Sequence, residues 1–293
     1  MGAKRPSTDP NSLIDWSLSA YLFLDTNAEK NEDARMKWVY NILLIIFALP
    51  GLLFFLLKML ITGKYKNSFL QKLGFRQKHI LEALPAGRRI WIHAVSVGEV
   101  TAAAPIAAAL KKQRPDVQII ISTSTETGQG MAQRLVTTAN AFIYFPLDFT
   151  FSVNRMLNLV RPDVFVLVET ELWPNFLAAC RTRGIKIVMA NGRISPRSFV
   201  KYRRTRFFWK QSLENVDAAG MITPLDADRI RQMGMDESKI TILGNAKYDA
   251  LAAMASHELH DDVAKRFGVH HGEKNLVAGS THAGEEQDIL DVY

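Results

Sequence analysis

The sequence has one cysteine, Cys180, in 293 residues. That excludes a disulfide framework and any cysteine-rich zinc site. It lacks a G-x-G-x-x-G run and a Walker-type glycine loop, so a dinucleotide or P-loop site has no support. H-E-x-x-H is also missing, and His257, His260, His270 and His271 are scattered through one polar stretch. No metal site and no cofactor are expected. Neither an internal repeat nor a low-complexity tract occurs. What is present has a globular balance, 48% hydrophobic and 22% charged, which rules out wholesale disorder and a collagen-like chain. At about 150 residues per domain, there is room for two domains at most.

Lys and Arg outnumber Asp and Glu by 36 to 29, and the resulting +7 suits an anionic partner. The mean hydropathy of −0.01 conceals one strongly apolar block, Val39–Leu57, whose 19 residues carry no charge. At about 1.5 Å per residue this block spans about 28 Å, close to the hydrocarbon thickness of a bilayer. A cleavable signal peptide would have a shorter apolar region and a small-residue cleavage site. Here Lys58, Lys64, Lys66, Lys72, Arg76 and Lys78 follow instead. The expectation is a membrane anchor over 36–62 with the body of the chain on the cytoplasmic side. Pro50-Gly51 would interrupt a helix there, which leaves a shallow or re-entrant anchor as an alternative, and a buried core helix as another. Residues 1–35 are expected to be a polar extension, with translation starting at Met36.

Beyond Pro85 short apolar runs alternate with helix-length segments. The runs are Ile90–Val95, Val117–Ser122, Phe142–Phe145, Val164–Glu169, Lys186–Ala190, Ala219–Thr223 and Ile240–Asn245. Continuous rather than alternating apolar strands indicate an α/β fold with a parallel sheet covered on both faces. Thr223-Pro224 reads as a helix start. A charged, His-containing stretch from Ala252 to Glu273 reads as a linker. Leu276–Thr281 and a helix near Gly284 read as the first strand and helix of a second domain, which this chain would only begin. The expected organisation is a Rossmann-like domain over 63–250 and a linker plus domain start over 251–293.

In open parallel sheets ligands bind beyond the carboxyl ends of the strands. Three groups stand there. Glu99 opens the helix after the first strand, where an acid also favours a helix N-terminus. Glu169 ends the very apolar VFVLVE, with Glu171 two residues on; an acid so placed is costly unless paired or used. Lys247 follows the strand that ends in GN, where it could compensate an anionic substrate or stand as a surface lysine. The segment Arg193–Lys210 holds seven cations, no acid and five aromatic residues. It fits anionic lipid headgroups better than nucleic acid, given the anchor. His93 reads as a hydrogen-bonded core histidine.

The motifs HAVSVGE, STSTETG, YFPLD, VETELWPN, ANGRIS, GNAKYD and GSTHAGEE follow in this order. Together, from about Met36 to Tyr293, they closely resemble the 3-deoxy-D-manno-octulosonate (Kdo) transferases, GT-B glycosyltransferases of lipopolysaccharide assembly. The resemblance implies a Rossmann-like acceptor-binding domain and inverting transfer of Kdo from CMP-Kdo to the lipid A precursor (lipid IVA) at the inner membrane. It implies Glu99 as the general base, and Glu169 and Lys247 as stabilisers of the transition state. Ser96, Gly98, Thr125, Glu171, Arg193 and Arg197 are expected to contact substrate. Anionic lipids of the inner membrane are an expected partner; nucleic acid is not. Members of the family carry a second Rossmann-like domain that holds CMP, of which only a beginning is expected here. A non-catalytic acceptor- or lipid-binding module is therefore the alternative, with a GT-B transferase of another activated sugar as a third reading.

Overall fold

The computed structural model describes residues 35–36, 38–48, 50–51, 66–75, 77–254, 257–269, 272, 274 and 276–292. Seven strands form one sheet among these residues: β1 Arg89–His93, β2 Gln118–Thr123, β3 Ala141–Tyr144, β4 Val164–Val168, β5 Lys186–Gly192, β6 Ala218–Met221 and β7 Ile240–Ile242. All neighbours pair in parallel, in the order β3-β2-β1-β4-β5-β6-β7. Residues 38–48 are helical (α1), and α2 Lys66–Lys72 and α3 Lys78–Glu82 precede β1. The crossovers are α4 Val97–Gln113, α5 Glu126–Leu135, α6 Thr150–Val160, α7 Pro174–Thr182, the pair α8 Pro196–Arg204 and α9 Arg206–Glu214, and α10 Pro224–Gln232. Beyond β7 come α11 Ala246–Met254, α12 His257–Phe267 and α13 Glu285–Val292.

The expected parallel α/β sheet is what forms, because its strands are apolar on both faces. Every residue of β2 is buried. Alternate side chains feed two cores. Trp91, Ile120, Phe165 and Ile187 join side chains of α6, α7, α9 and α10 on one face. Ile92, Ile119, Ile121 and Val166 meet the small residues Ala102, Ala103 and Ala107 of α4 on the other. Trp91 is fully buried, sits edge-on to Phe176 at 5.1 Å and donates its indole N–H to Ser122 Oγ at 2.7 Å. Parallel strands place their carboxyl ends, and the loops that follow, along one edge of the sheet.

Several helices start earlier than their apolar content suggests. Ser96 and Thr125 cap α4 and α5, accepting from the N–H groups of Glu99 and Gly128, so α4 takes in Val97-Gly98-Glu99 and α5 its polar first turn before their apolar stretches. Thr223 caps α10 with Pro224 in the first turn, as the sequence indicates.

The chain divides into two compact units, Met1–Lys247 and Tyr248–Tyr293. Within the stretch Ala252–Glu273 of the second unit, read as a linker, residues 257–267 are helical. Its charges pair along the helix, Asp262 with Arg266 at 2.8 Å, and Lys265 and Arg266 lie in the last turn, where they suit the helix dipole. The strand expected at Leu276–Thr281 is corrected; residues 276–279 have no strand conformation. A strand needs a ladder partner, and the described residues of this unit supply none. His270 and His271 lie outside the described residues.

The apolar block is described only in part. Among the described residues no helix is long and apolar enough to cross a membrane. Residues 52–62 of the expected anchor lie outside the described residues, as does the expected polar extension up to residue 34. The helix that is described, α1, turns its polar residues inward. Tyr40 donates to Asp148 Oδ2 at 2.8 Å, and the side-chain amides of Asn41 and Asn175 exchange hydrogen bonds at 3.2 and 2.8 Å. The Tyr40 ring lies 5.6 Å from that of Phe208 on α9. Trp38, Ile45, Ile46 and Phe47 are left exposed.

Candidate active site

Four of the expected residues meet at the carboxyl edge of the sheet. Glu99 is the third residue of α4, after β1. Its carboxylate accepts from Val95 N–H at 2.7 Å and from the Ser96 hydroxyl at 2.8 Å, and it is buried. Ser-x-x-Glu is a capping box in which the acid reaches back to the chain before the helix. The same contacts that close the helix hold this carboxylate still.

Glu169 follows the last residue of β4, with its N–H on Ala190 O at 2.9 Å and φ of +62°. A non-glycine residue in the left-handed region costs about 1 kcal/mol or more, and such strain gathers at functional sites. The turn sends its carboxylate to Lys247 Nζ, 2.8 Å away, where both side chains are about a quarter exposed (21% and 30%). Lys247 is the second residue of α11. A methyl placed on Gly98 would stand 3.7 Å from the same ammonium, so the first turn of α4 borders this ion pair.

The carboxylates feel one another. Burial pushes the Glu99 carboxyl above its ordinary value; the Val95 N–H and the Ser96 hydroxyl oppose this, and the charge of Glu169 adds to it. Glu171 is pushed up to about 7, first by burial and then by the charge of Glu99. The nearby Trp173 indole N–H counteracts in part, yet it closes no hydrogen bond, since Nε1 has no partner within bonding distance. Tyr202, on α8, is raised by burial and then by Glu171, which places the basic segment beside the carboxylates. Among the described residues no group of three or more His, Cys, Asp or Glu side chains could hold a metal ion.

The remaining expected contacts separate into two kinds. Ser96 serves Glu99 directly, and Gly98 faces Lys247. Thr125 spends its hydroxyl on Gly128 N–H at 3.0 Å, on the neighbouring loop. An added methyl at Gly128 would come within 2.8 Å of that hydroxyl and 3.2 Å of Val95 O, so this glycine lets the two loops pack. Arg193 is tied by its carbonyl to Thr170 Oγ1 at 2.6 Å, which fastens the start of the basic segment to the Glu169 loop. Arg197 stands exposed in the first turn of α8. His93 is a buried core histidine, stacked on Phe145 at 3.7 Å; burial pushes its imidazole down to about 3, so it is neutral.

The sequence reading missed Asp148 and Tyr40. Asp148 accepts from Asn175 N–H at 3.0 Å, Phe176 N–H at 2.8 Å and Tyr40. It thereby caps α7 and holds α1. An acid soon after the apolar strand FIYF was the available signal, the same one that exposed Glu169. Asn191 was also missed; it is the penultimate residue of β5, at φ +55°.

A model of the 3-deoxy-D-manno-octulosonic-acid transferase (kdotransferase) family matches residues 67–250, well over half of the chain and the whole of the sheet. The chain belongs to this family of glycosyltransferases. It is 30% identical over 255 residues to the 3-deoxy-D-manno-octulosonic acid transferase of Haemophilus influenzae, covering 87% of this chain and 58% of that protein. A bifunctional glycosyltransferase/methyltransferase of Fusobacterium nucleatum is 35% identical over 213 residues, 70% of this chain and 32% of its own length. The chain thus spans less than three-fifths of the length of these curated Kdo transferase relatives. Among solved structures it is similar to the UDP-GlcNAc 2-epimerase of Neisseria meningitidis, with a TM-score of 0.47 and 11% identity over 64% of this chain and 56% of that one.

Proposed function

We propose that the chain carries the acceptor side of an inverting GT-B Kdo transferase, which moves Kdo from CMP-Kdo to the lipid A precursor. The observation that carries this reading is the meeting of Glu99, Glu169, Glu171 and Lys247, from three separate loops, at the ligand-binding edge of the sheet. A sugar hydroxyl is a poor nucleophile. Glu99 takes its proton as the oxygen bonds to the anomeric carbon of Kdo, the bond from that carbon to the CMP phosphate breaks, and CMP leaves with the electron pair. Attack opposite the leaving group inverts the anomeric centre. Only two of the four lone-pair positions on the Glu99 carboxylate are engaged, so it can still accept a proton. Burial and the nearby acids make it a stronger base than an exposed glutamate. Lys247, oriented by Glu169, supplies a fixed positive charge against the developing anion.

The substrate is lipid-borne, and the arrangement of α1 supports action at the cytoplasmic face of a bacterial inner membrane. The exposed apolar residues of α1 share one neighbourhood with the basic segment through the Tyr40–Phe208 contact. Apolar side chains beside Arg197, Lys201, Arg204 and Arg206 are what an anionic lipid surface holds.

The protein in its native membranes, given CMP-Kdo and tetra-acylated lipid A precursor, is expected to yield a glycolipid heavier by one or more Kdo residues. Glu99→Gln should lower that rate about 10²–10⁴-fold. Undiminished product from the amide variant would overturn the assignment of the base.

A further inference from the structure

Adjacent residues on neighbouring strands hold adjacent residues of α11. Val168 and Ala190 are register partners in β4 and β5, so the next residues follow side by side, Glu169 just past β4 and Asn191 in the last two residues of β5. Both take positive φ, +62° and +55°. Glu169 holds the Lys247 ammonium at 2.8 Å, and Asn191 Oδ1 accepts from the N–H of Ala246, the residue before it, at 2.9 Å.

The amide orientation is forced. Only the carbonyl oxygen of Asn191 can face an N–H donor, so its Nδ2 points elsewhere; it is buried and has no partner. The side chain is therefore spent on one bond. That bond matters because the sheet's own ladder stops at Leu243, whose N–H reaches Met221 O at 2.9 Å, and the chain then turns at the exposed Gly244 with φ +82°. Apart from the Lys247–Glu169 pair, the Asn191 bond is the hydrogen bond that ties residues 244–247 to the sheet among the described residues. Asn245 closes the first turn locally, through Lys247 N–H at 3.1 Å, but does not reach the sheet. Asparagine is also the side chain that bears the left-handed backbone here at small cost.

We propose that Asn191 is a positioning residue that sets the place of Lys247 against Glu169. The proposal rests on the reading of Lys247 as part of the site, yet its test does not depend on sugar transfer. Competitive acetylation of the folded protein with limiting acetic anhydride, read by mass spectrometry, reports how firmly each ammonium is held. Lys239, whose Nζ donates to Val216 O at 2.8 Å in the same unit, is the internal reference. Glu169→Gln releases Lys247 directly and should raise its labelling about fivefold or more, as expected for losing a charge-assisted hydrogen bond. Asn191→Gly keeps the backbone conformation and removes only the amide, and should raise Lys247 labelling by a similar factor while Lys239 stays unchanged. Asn191→Asp retains the acceptor and should stay within about twofold of the wild type. Unchanged Lys247 labelling in Asn191→Gly would overturn the proposal, as would a joint rise at Lys239 or an aspartate variant that behaves like the glycine one. No rise in Glu169→Gln would overturn the ion pair itself. Absence of Kdo transfer by the wild type, with its Lys247 protected and the variants labelled as expected, would count against the proposed function alone.

Discussion

At the scale of single residues, the candidate site crowds acids together. Glu171 is the carboxylate placed nearest neutrality, at about 7, because burial and the negative charge of Glu99 both oppose its ionisation. In ¹³C-carboxyl NMR of the glutamate-labelled protein its resonance should titrate with a midpoint near 7. Glu99→Gln should move that midpoint downward, since one of the two main opposing influences is then gone; an unmoved midpoint would deny the coupling. Glu169 was readable from sequence because an acid closing an apolar strand must be paired or used, and Glu99 and Lys247 because they follow strand ends where ligands bind. What could not be read was which neighbour each would meet. Glu169 and Lys247 are far apart in the chain, and their 2.8 Å contact exists only because β4 and the start of α11 are brought to one edge. The capping of α4 by Glu99 is legible in Ser-x-x-Glu, whereas its burial is not.

At the scale of elements, Asp148 joins three of them. It caps α7, holds α1 through Tyr40, and sits after β3. Burial pushes its carboxyl up to about 6 despite three donors. Its folded-state value lies above the ordinary 3.8, so the folded protein binds this proton more tightly than the unfolded chain. The stabilisation is fully present below about pH 4 and is lost as pH rises through about 6. Relative to Asp148→Asn, which does not titrate, the wild type should lose about 2 kcal/mol of unfolding free energy between pH 4 and pH 7. Urea unfolding of both proteins at the two values measures this. A constant difference would mean that the carboxylate is compensated more fully than its burial indicates. Helix starts were legible where a cap is followed by a strong second signal, as at Thr223-Pro224 and Ser-x-x-Glu, and not at α5, whose first turn after Thr125 is polar.

At the scale of the whole molecule, the family membership and the sheet account for residues 67–250, and the chain spans 58% of the length of its Haemophilus influenzae relative. The proposed membrane contact makes a prediction of its own. Replacing Arg197, Lys201, Arg204 and Arg206 together by alanine should weaken binding to vesicles containing phosphatidylglycerol by about 1 kcal/mol per charge. Raising the salt should weaken the wild type more than the variant, because a surface attraction is screened beyond about 10 Å at 0.1 M. Vesicle sedimentation across a salt series tests both, and equal binding would locate the contact elsewhere. By itself the order of apolar runs determined a parallel α/β sheet, since burial on both faces demands continuous apolar strands and leaves a signal in composition. The motif order likewise determined the family. Tertiary structure alone decided that Leu276–Thr281 is no strand, and that Asn191 and Glu169 grip the first residues of α11. Each of these depends on a partner distant in the chain being present or absent, and local sequence carries no record of that.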